Sequence, residues 1–392
     1  MPITAEVVIG AGYGDEGKGL LTDALAAPLG ADAAVIRFNG GAQAGHTVQA
    51  PDGRRHVFHH VGSGALAGAR SFLSRFFVAN PILLREELAV LAGLGVRPLM
   101  AIDPAAPVTL PFDMMLNQMA ERARGERRHG SCGLGFGETL ERSRHEALRV
   151  VAADLARAGL RERLEHVRRA WLPQRLAALG LEPAAEDAAL LADERILERW
   201  LEDAAIFADA VPVMTIDAVP GRIVFEGAQG LMLDQDRGAF PFVTRSNTGL
   251  RNVVALAREA GIDGLDVTYV TRAYVTRHGA GPLAHELSGA PWPDATNLPN
   301  PWQGTLRYGT LDLDVLHRAV AADLGDAGGL AVTPRLAVTC LDQVGPAVDF
   351  VEGGVRSSAA PEALARRLAA RLGAASVLAG RGPTRADLAP VG

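Results

Sequence analysis

Glycines, two carboxylates and a lysine crowd one short segment near the N-terminus, Gly12-Tyr13-Gly14-Asp15-Glu16-Gly17-Lys18-Gly19. Set between a strand and a helix, such a loop can cradle phosphates. Backbone N–H groups and the helix N-terminus favour an anion, and a lysine can reach phosphate oxygens. Two templates fit. Gly12-x-Gly14-x-x-Gly17 matches a dinucleotide fingerprint, and Gly12-x-x-x-x-Gly17-Lys18 matches triphosphate-loop spacing with Gly19 where Ser or Thr should stand. The dinucleotide template needs an acid at the end of the second strand to hold a ribose, and that strand ends Phe38-Asn39-Gly40-Gly41. The triphosphate template uses both the glycines and Lys18, and is preferred. A carboxylate beside phosphates is repelled unless a cation intervenes or it has a proton to take. Asp15 could therefore supply a metal oxygen, act as a base, or both. The structural alternative is an acidic helix N-terminus favoured by the macrodipole.

The elements that must position this loop surround it. Val7-Val8-Ile9 is a β-branched run ending in glycine and is predicted to be a buried strand. Residues 20–27 are predicted to be the following helix, and 33–38 the next strand. That order opens a βαβ unit and favours a parallel sheet. Ile223-Val224-Phe225, Val267-Thr268-Tyr269-Val270, Leu336-Ala337-Val338-Thr339 and Ser376-Val377-Leu378 return to strand character. Several run into glycine-rich or polar clusters, where open α/β sheets place ligands. Residues from about 147 to 207 are instead rich in Ala, Leu, Arg and Glu at helical spacing. Leu160, Leu164, Val167 and Trp171 share one face there, with Pro173 and Pro183 as punctuation. The expected fold is α/β, a central mostly parallel sheet flanked by helices and carrying a P-loop-like phosphate loop. One catalytic domain over 1–392 is expected, with a helical subdomain at about 147–207.

Composition narrows the field. The 392-residue chain is 48% hydrophobic and 21% charged, enough apolar material for a sizeable core. A net charge of -6 offers no global basic field for DNA or RNA. The mixed-sign run from Glu121 to Arg128 reads as a solvated helix face. Cys132 and Cys340 lie far apart without CxxC spacing, which argues for a reducing compartment. The N-terminus has no basic n-region or long apolar h-region, and no stretch approaches the roughly 20 apolar residues of a membrane span. A cytoplasmic protein without nucleic-acid or membrane partners is expected. His56, His59 and His60 cluster, but on a strand His59 would face away from the other two, so they read as structural rather than metal ligands.

Taken in order, the motifs resemble the adenylosuccinate synthetase family. They are Gly14-Asp15-Glu16-Gly17-Lys18-Gly19, then Asn39-Gly40-Gly41-Ala42-Gln43-Ala44-Gly45-His46-Thr47, then Phe225-Glu226-Gly227-Ala228-Gln229-Gly230 with Leu233-Asp234. Pro241-Phe242-Val243-Thr244-Arg245-Ser246-Asn247-Thr248 and Thr276-Arg277-His278-Gly279-Ala280-Gly281-Pro282 follow. Each is weak alone; the collinear set, spanning residues 7 to about 385, is specific. The resemblance implies a GTP-dependent ligase, usually a homodimer, that joins IMP to L-aspartate with Mg²⁺. Adenylosuccinate, GDP and phosphate are the implied products. By the same resemblance Asp15 takes the N1 proton of hypoxanthine so that O6 attacks the γ-phosphate, and His46 hydrogen-bonds to the transferring phosphoryl group. Asp15 and the Gly45 carbonyl would contact Mg²⁺. The aspartate amine then displaces phosphate, because phosphorylation turns a poor leaving oxygen into a good one. Positioning and charge neutralisation carry most of such a barrier.

Further roles carry over by position. Gly14, Glu16, Gly17, Lys18, Gly19 and Thr47 would hold the triphosphate. Thr339-Cys340-Leu341-Asp342 resembles the guanine-reading motif, where Asp342 could accept from guanine N1 and N2. Gly380-Arg381-Gly382-Pro383 resembles the loop over the same base. Gln43, Ser131, Cys132, Gln229 and Thr244 would face the nucleotide, His278 its ribose, and Thr305 and Arg307 the amino acid. Arg144 is the nearest candidate for an arginine lent across a dimer interface.

Four departures bear on the substrates. Cys340 replaces a lysine, which opens ATP as an alternative to GTP. Ser131-Cys132-Gly133-Leu134-Gly135 stands for Thr-Thr-Gly-Arg-Gly, keeping a hydroxyl and losing an arginine; Cys132 has no identifiable partner base that would make it a nucleophile. His278 replaces a small apolar residue. The segment from Pro301 to Thr310 keeps only Arg307 of an arginine-rich loop, and one guanidinium clamps one of aspartate's two carboxylates well. Two alternatives follow. One is a divergent paralogue with the same O6 phosphorylation on another 6-oxopurine nucleotide such as GMP or dGMP, or with another amine donor or ATP. The family's 2-aminopurine branch alters the catalytic aspartate, which this chain keeps. The other is a nucleotide-binding protein without turnover, disfavoured because a pure binder needs neither Asp15 nor His46.

Overall fold

The structure, a computed structural model, describes residues 3–292, 294, 296, 297, 302 and 304–392. Pro301 and Gln303 of the altered segment lie outside the described residues. The described residues build a nine-stranded sheet in the order Leu388–Pro390, Val377–Gly380, Ala331–Thr339, Gly264–Arg272, Thr4–Gly10, Arg222–Gly230, Ala33–Arg37, Arg70–Leu73, Met100–Ile102. Every neighbouring pair is parallel except the edge pair Leu388–Pro390 and Val377–Gly380. Helices cover both faces, which is why the inner strands read as unbroken apolar runs rather than alternating ones. Val7, Val8, Ile9, Val35 and Ile36 are all fully buried. The first strand lies between Gly264–Arg272 and Arg222–Gly230, where the chain order changes direction. The carboxyl ends there open into the glycine-rich loops, the usual ligand position in such sheets.

Two large apolar cores flank the sheet. One packs helices Leu250–Glu259, Leu313–Leu324 and Pro361–Leu372 against the central strands. The other joins the last two strands of the sheet, Arg70–Leu73 and Met100–Ile102, to helices Pro81–Gly93, Pro111–Arg124, Leu160–Leu179 and Glu194–Ala210. The expected anchors Leu160, Leu164, Val167 and Trp171 all lie in this second core. The helical region itself differs in its bounds. It starts at Leu160 and runs to Ala210, while the stretch before it holds short turns, Glu146–Leu148 and Ala152–Asp154. Pro173 does not break its helix. It sits on the exposed side, while Trp171 and Leu172 beside it hold the helix in the core. Packing outweighs the lost N–H bond. No helix of the described residues is long and apolar enough to cross a membrane.

A fully buried ion pair joins two of the helices. Arg142, fully buried, bonds Asp113 through Nε and Nη2, and donates to the Leu148 and Val108 carbonyls. It ties helix Phe136–Ser143 to helix Pro111–Arg124, and these form the far bank of the cleft described next.

Candidate active site

The phosphate loop separates its two carboxylates. Glu16 turns inward. Its Oε1 accepts the Gly12 and Gly14 N–H groups at 3.1 and 2.8 Å, and its Oε2 meets Lys18 Nζ at 2.6 Å. The internal carboxylate thus takes the loop donors that the sequence reading offered to a phosphate. Asp15 turns outward, into a cleft of about 480 Å³. It does so in the left-handed region, at φ 62, which Asp tolerates better than most residues. Arg272 Nε fixes the turn by donating to the Asp15 carbonyl at 2.5 Å, and Thr339 Oγ1 donates to the Glu16 carbonyl at 2.7 Å. Gly17 caps the following helix at φ 96. Gly19 stands where a hydroxyl residue was expected because the helix lies against the strand His46–Gln49. A Cβ at Gly19 would come 2.9 Å from the Thr47 carbonyl.

His46 enters the same cleft from the start of that strand. Its Nδ1 is 2.7 Å from Glu226 Oε1. Glu226 also accepts from the Ser63 N–H at 3.1 Å and from the Ser63 hydroxyl, and lies 3.8 Å from Arg37 Nε. Burial pushes His46 down to about 4, with Arg37 and Lys18 acting the same way against the pull of Glu226. Burial alone would raise Glu226, but His46, Arg37 and the Ser63 hydroxyl bring it to about 2. We therefore place a neutral His46 donating Nδ1–H to an ionised Glu226, with Nε2 left for a ligand. The sequence reading named Glu226 within a motif without giving it a task; an acid in a strand otherwise buried at both faces was the available signal.

This pairing has a consequence for acid stability. A histidine held below its ordinary value stabilises the fold above its unfolded pKa, and that contribution fades as pH falls towards the folded value. Between pH 7 and pH 5, His46 should account for about 2 kcal/mol of lost stability. Urea unfolding of wild type and His46→Asn at the two pH values checks this. Equal pH dependence in both proteins would contradict the buried neutral imidazole.

Gly14, Lys18, Gln43, Gly45, Gln229 and Thr244 line the cleft with Asp15 and His46. Gln229 is held in the left-handed region at φ 65. Such residues cost energy and gather at functional sites. Ser131 and Cys132 line the helical bank. The Ser131 hydroxyl donates to Asn117 Oδ1 at 2.8 Å, and burial pushes the Cys132 thiol up to about 11, out of nucleophilic range. His278 also lines the cleft, and its Nε2 lies 3.4 Å from Asp15 Oδ2 and 3.1 Å from Asn297 Oδ1. The family position read as facing a ribose therefore touches the candidate base.

Other predicted residues stand apart from this cleft. Asp342 and Pro383 are exposed on neighbouring loops, which are joined by the Leu341 N–H to Gly380 carbonyl bond at 3.0 Å. Gly382 packs beside Asp387. Thr47 faces the helix Lys18–Ala26 through its carbonyl. Cys340 sits at φ 57, its half-buried thiol near Tyr274 and Arg272. Thr305 is exposed. Arg307 spends Nε and Nη2 on Glu286 and Nη1 on the Gly279 and Gly281 carbonyls. Arg144 is 72% exposed, pairs with Glu141 at 3.3 Å and does not line the cleft. The histidine cluster divides much as expected, although the strand ends at Phe58. His56 and His60 lie 3.5 and 3.4 Å from Glu87, whereas His59 turns to the Ala42 and Ala44 carbonyls and lines the cleft.

Comparison with known proteins matches this arrangement to others. A family model described as adenylosuccinate synthetase matches residues 7–367. The adenylosuccinate synthetase of Stenotrophomonas maltophilia is 32% identical over 379 residues, covering 91% of this chain and 82% of that protein. That of Xylella fastidiosa is 32% identical over 381 residues with the same coverage of each. Among solved structures, the fully ligated adenylosuccinate synthetase from Plasmodium falciparum matches with a TM-score of 0.76 at 18% identity, covering 98% of this chain and 99% of that one. A cyanophage S-2L succinoaminodeoxyadenylate synthetase, bound to dGMP and to dATP as an energy donor, matches with a TM-score of 0.57 at 18% identity, covering 100% of this chain and 96% of that one. At these identities the structural likeness is one of fold.

Proposed function

The chain belongs to the adenylosuccinate synthetase family, and from that premise we propose that it is a GTP-dependent ligase that phosphorylates O6 of IMP and joins L-aspartate to give adenylosuccinate. The observation that carries the reading is the delivery of Asp15 and His46 into one cleft at the switch point of the sheet. Asp15 takes the N1 proton of the 6-oxopurine, which loads negative charge onto O6. His46 meets the transferring phosphoryl group through Nε2, which takes a proton from solvent as that anion arrives, with Glu226 balancing the new charge. Lys18 leaves Glu16 to reach the triphosphate. The amine then displaces phosphate from C6.

The residues fit Mg²⁺. Asp15 brings a hard carboxylate and Gly45 a backbone carbonyl to one cleft, the modest protein share that Mg²⁺ takes when substrate phosphates and water complete its octahedron. Bound there, it would neutralise charge on the phosphates. Asp342, exposed beside the 380–383 loop, supports guanine recognition. A homodimer in the cytoplasm completes the reading by family analogy.

One observation favours a second reading, in which O6 phosphorylation is kept and the substrates change. Arg307, the arginine left to meet a donor's carboxylate, is occupied by Glu286 and two carbonyls. A different amine donor, or another 6-oxopurine nucleotide such as GMP or dGMP with ATP as energy donor, would then apply. Incubation with Mg²⁺, GTP or ATP, a panel of 6-oxopurine nucleotides and a panel of amines separates the two, read by phosphate release and product mass. A succinyl adduct on IMP is the expected result. An adduct only from another pair establishes the second reading. Nucleotide binding without phosphate release from any pair would overturn both.

A further inference from the structure

A general base works only when its accepting oxygen is aimed at the proton. The left-handed turn at Asp15 places its backbone, but the side chain must be aimed by contacts. Two reach Asp15 from different segments. Arg272, at the end of the strand Gly264–Arg272, donates Nε to the Asp15 carbonyl at 2.5 Å. His278, just past the short strand Val275–Arg277, brings Nε2 to 3.4 Å from Asp15 Oδ2.

Residues 294 and 297 join these two contacts to each other. Arg272 donates Nη2 to Asp294 Oδ2 at 3.0 Å, and both side chains are largely buried. Asp294 accepts from Asn297 twice, from its backbone N–H through Oδ1 and from Nδ2 through Oδ2, each at 2.9 Å. Those bonds assign the amide. Nδ2 is spent on Asp294, so Oδ1 is the atom that turns to His278 Nε2, at 3.1 Å. His278 Nε2 then faces two acceptors, Asn297 Oδ1 and Asp15 Oδ2, and must carry the hydrogen. The network closes on itself. It runs from the Asp15 carbonyl through Arg272, Asp294, Asn297 and His278 back to the Asp15 carboxylate. One residue is thus gripped at its backbone and at its side chain by a single chain of polar contacts. Members of such a network restrict one another.

We propose that His278 and Asn297 are positioning residues for Asp15. Asn297, pinned on Asp294, holds the His278 ring, and the ring tethers the Asp15 carboxylate in the direction in which it meets the base. This rests on the proposed reading of Asp15 as the base of the cleft. It gives His278 a task that a small apolar residue at this position could not perform, since such a residue has no N–H to offer.

The test uses the full chain with the nucleotide and amine pair that wild type accepts. For each variant kcat, nucleotide Kd by calorimetry and thermal unfolding are measured. His278→Val should lower kcat about 10- to 100-fold, the size of a misplaced reacting group, while Kd shifts by less than about threefold. Asn297→Ala should act in the same direction by a smaller factor. His278→Gln, which keeps a donor on a flexible stem, should recover part of the loss. A double-mutant cycle separates positioning from general loosening of the fold. Because Asn297 acts through His278, the double variant His278→Val with Asn297→Ala should be no slower than His278→Val alone. In an Asp15→Asn background, where the oxygen to be aimed has lost its charge, His278→Val should cost less than about threefold. Losses that multiply in the double variant, a full loss in the Asp15→Asn background, or a Kd that rises as far as kcat falls would each overturn the positioning role while the function stands. If wild type releases no phosphate with any pair, the reading of Asp15 falls and the positioning role with it.

Discussion

Replacing Asp15 by Asn is expected to lower turnover by about 10²- to 10⁴-fold, the usual range for loss of a positioned general base, while triphosphate binding stays measurable. The substitution is nearly isosteric, and the turn that presents residue 15 is held from elsewhere. Arg272 grips its carbonyl and Thr339 the next one, so the loop should keep its shape. Asn also tolerates the left-handed conformation at φ 62. On the proposed function, what is lost is the capacity to accept the N1 proton, together with an oxygen that would meet Mg²⁺. His278 lies 3.4 Å from the carboxylate and is left in place by the substitution. Phosphate release measured at saturating substrates, with triphosphate affinity measured in parallel, decides the matter. Unchanged turnover in Asp15→Asn would sink the base assignment and leave a purely structural role for the loop acid.

The second large effect concerns Glu226, and it separates stability from chemistry. Glu226→Ala leaves Arg37, which is fully buried, without its carboxylate, and leaves the Ser63 N–H and hydroxyl without their acceptor. Breaking a buried pair in this way costs about 3–5 kcal/mol. Against a total of about 5–15 kcal/mol that is a severe loss, visible in urea or thermal unfolding. Glu226→Gln keeps the shape and much of the hydrogen bonding. It removes the counter-charge 2.7 Å from His46, so uptake of a proton from solvent at Nε2 as the phosphoryl anion arrives becomes harder. Turnover should fall by about 10²-fold with a much smaller change in stability. Wild-type turnover in Glu226→Gln would reduce Glu226 to a packing partner of Arg37.

The fold was largely legible because it is written locally. A β-branched run, a glycine loop and an apolar helix follow one another within 26 residues, and each is set by neighbours in the chain. Strand identity survived at Arg222–Gly230, Gly264–Arg272, Ala331–Thr339 and Val377–Gly380, since buried parallel strands announce themselves as apolar runs. The short strands Arg70–Leu73 and Met100–Ile102, at one end of the sheet, were missed; like Val377–Gly380 they are three or four residues long, a length at which pattern alone decides little. Pro173 misled for the opposite reason. A local helix breaker was outvoted by Leu164, Val167 and Trp171 in a core assembled from distant segments.

By itself, then, the sequence determined the order of the motifs, the parallel sheet and the presence of two acids in a phosphate-type loop and a histidine in a second motif. It could not say which loop carboxylate turns outward, since Asp15 and Glu16 are adjacent and alike in charge. That choice depends on the loop N–H groups and Lys18 closing around Glu16. Nor could it pair His46 with Glu226 across 180 residues, or bind Arg307 to Glu286. Spacing along a chain encodes backbone geometry over a few residues. The direction of a charged side chain is set by whichever partner the sheet register and the helical layer bring within about 3 Å, and that partner is a property of the assembled fold.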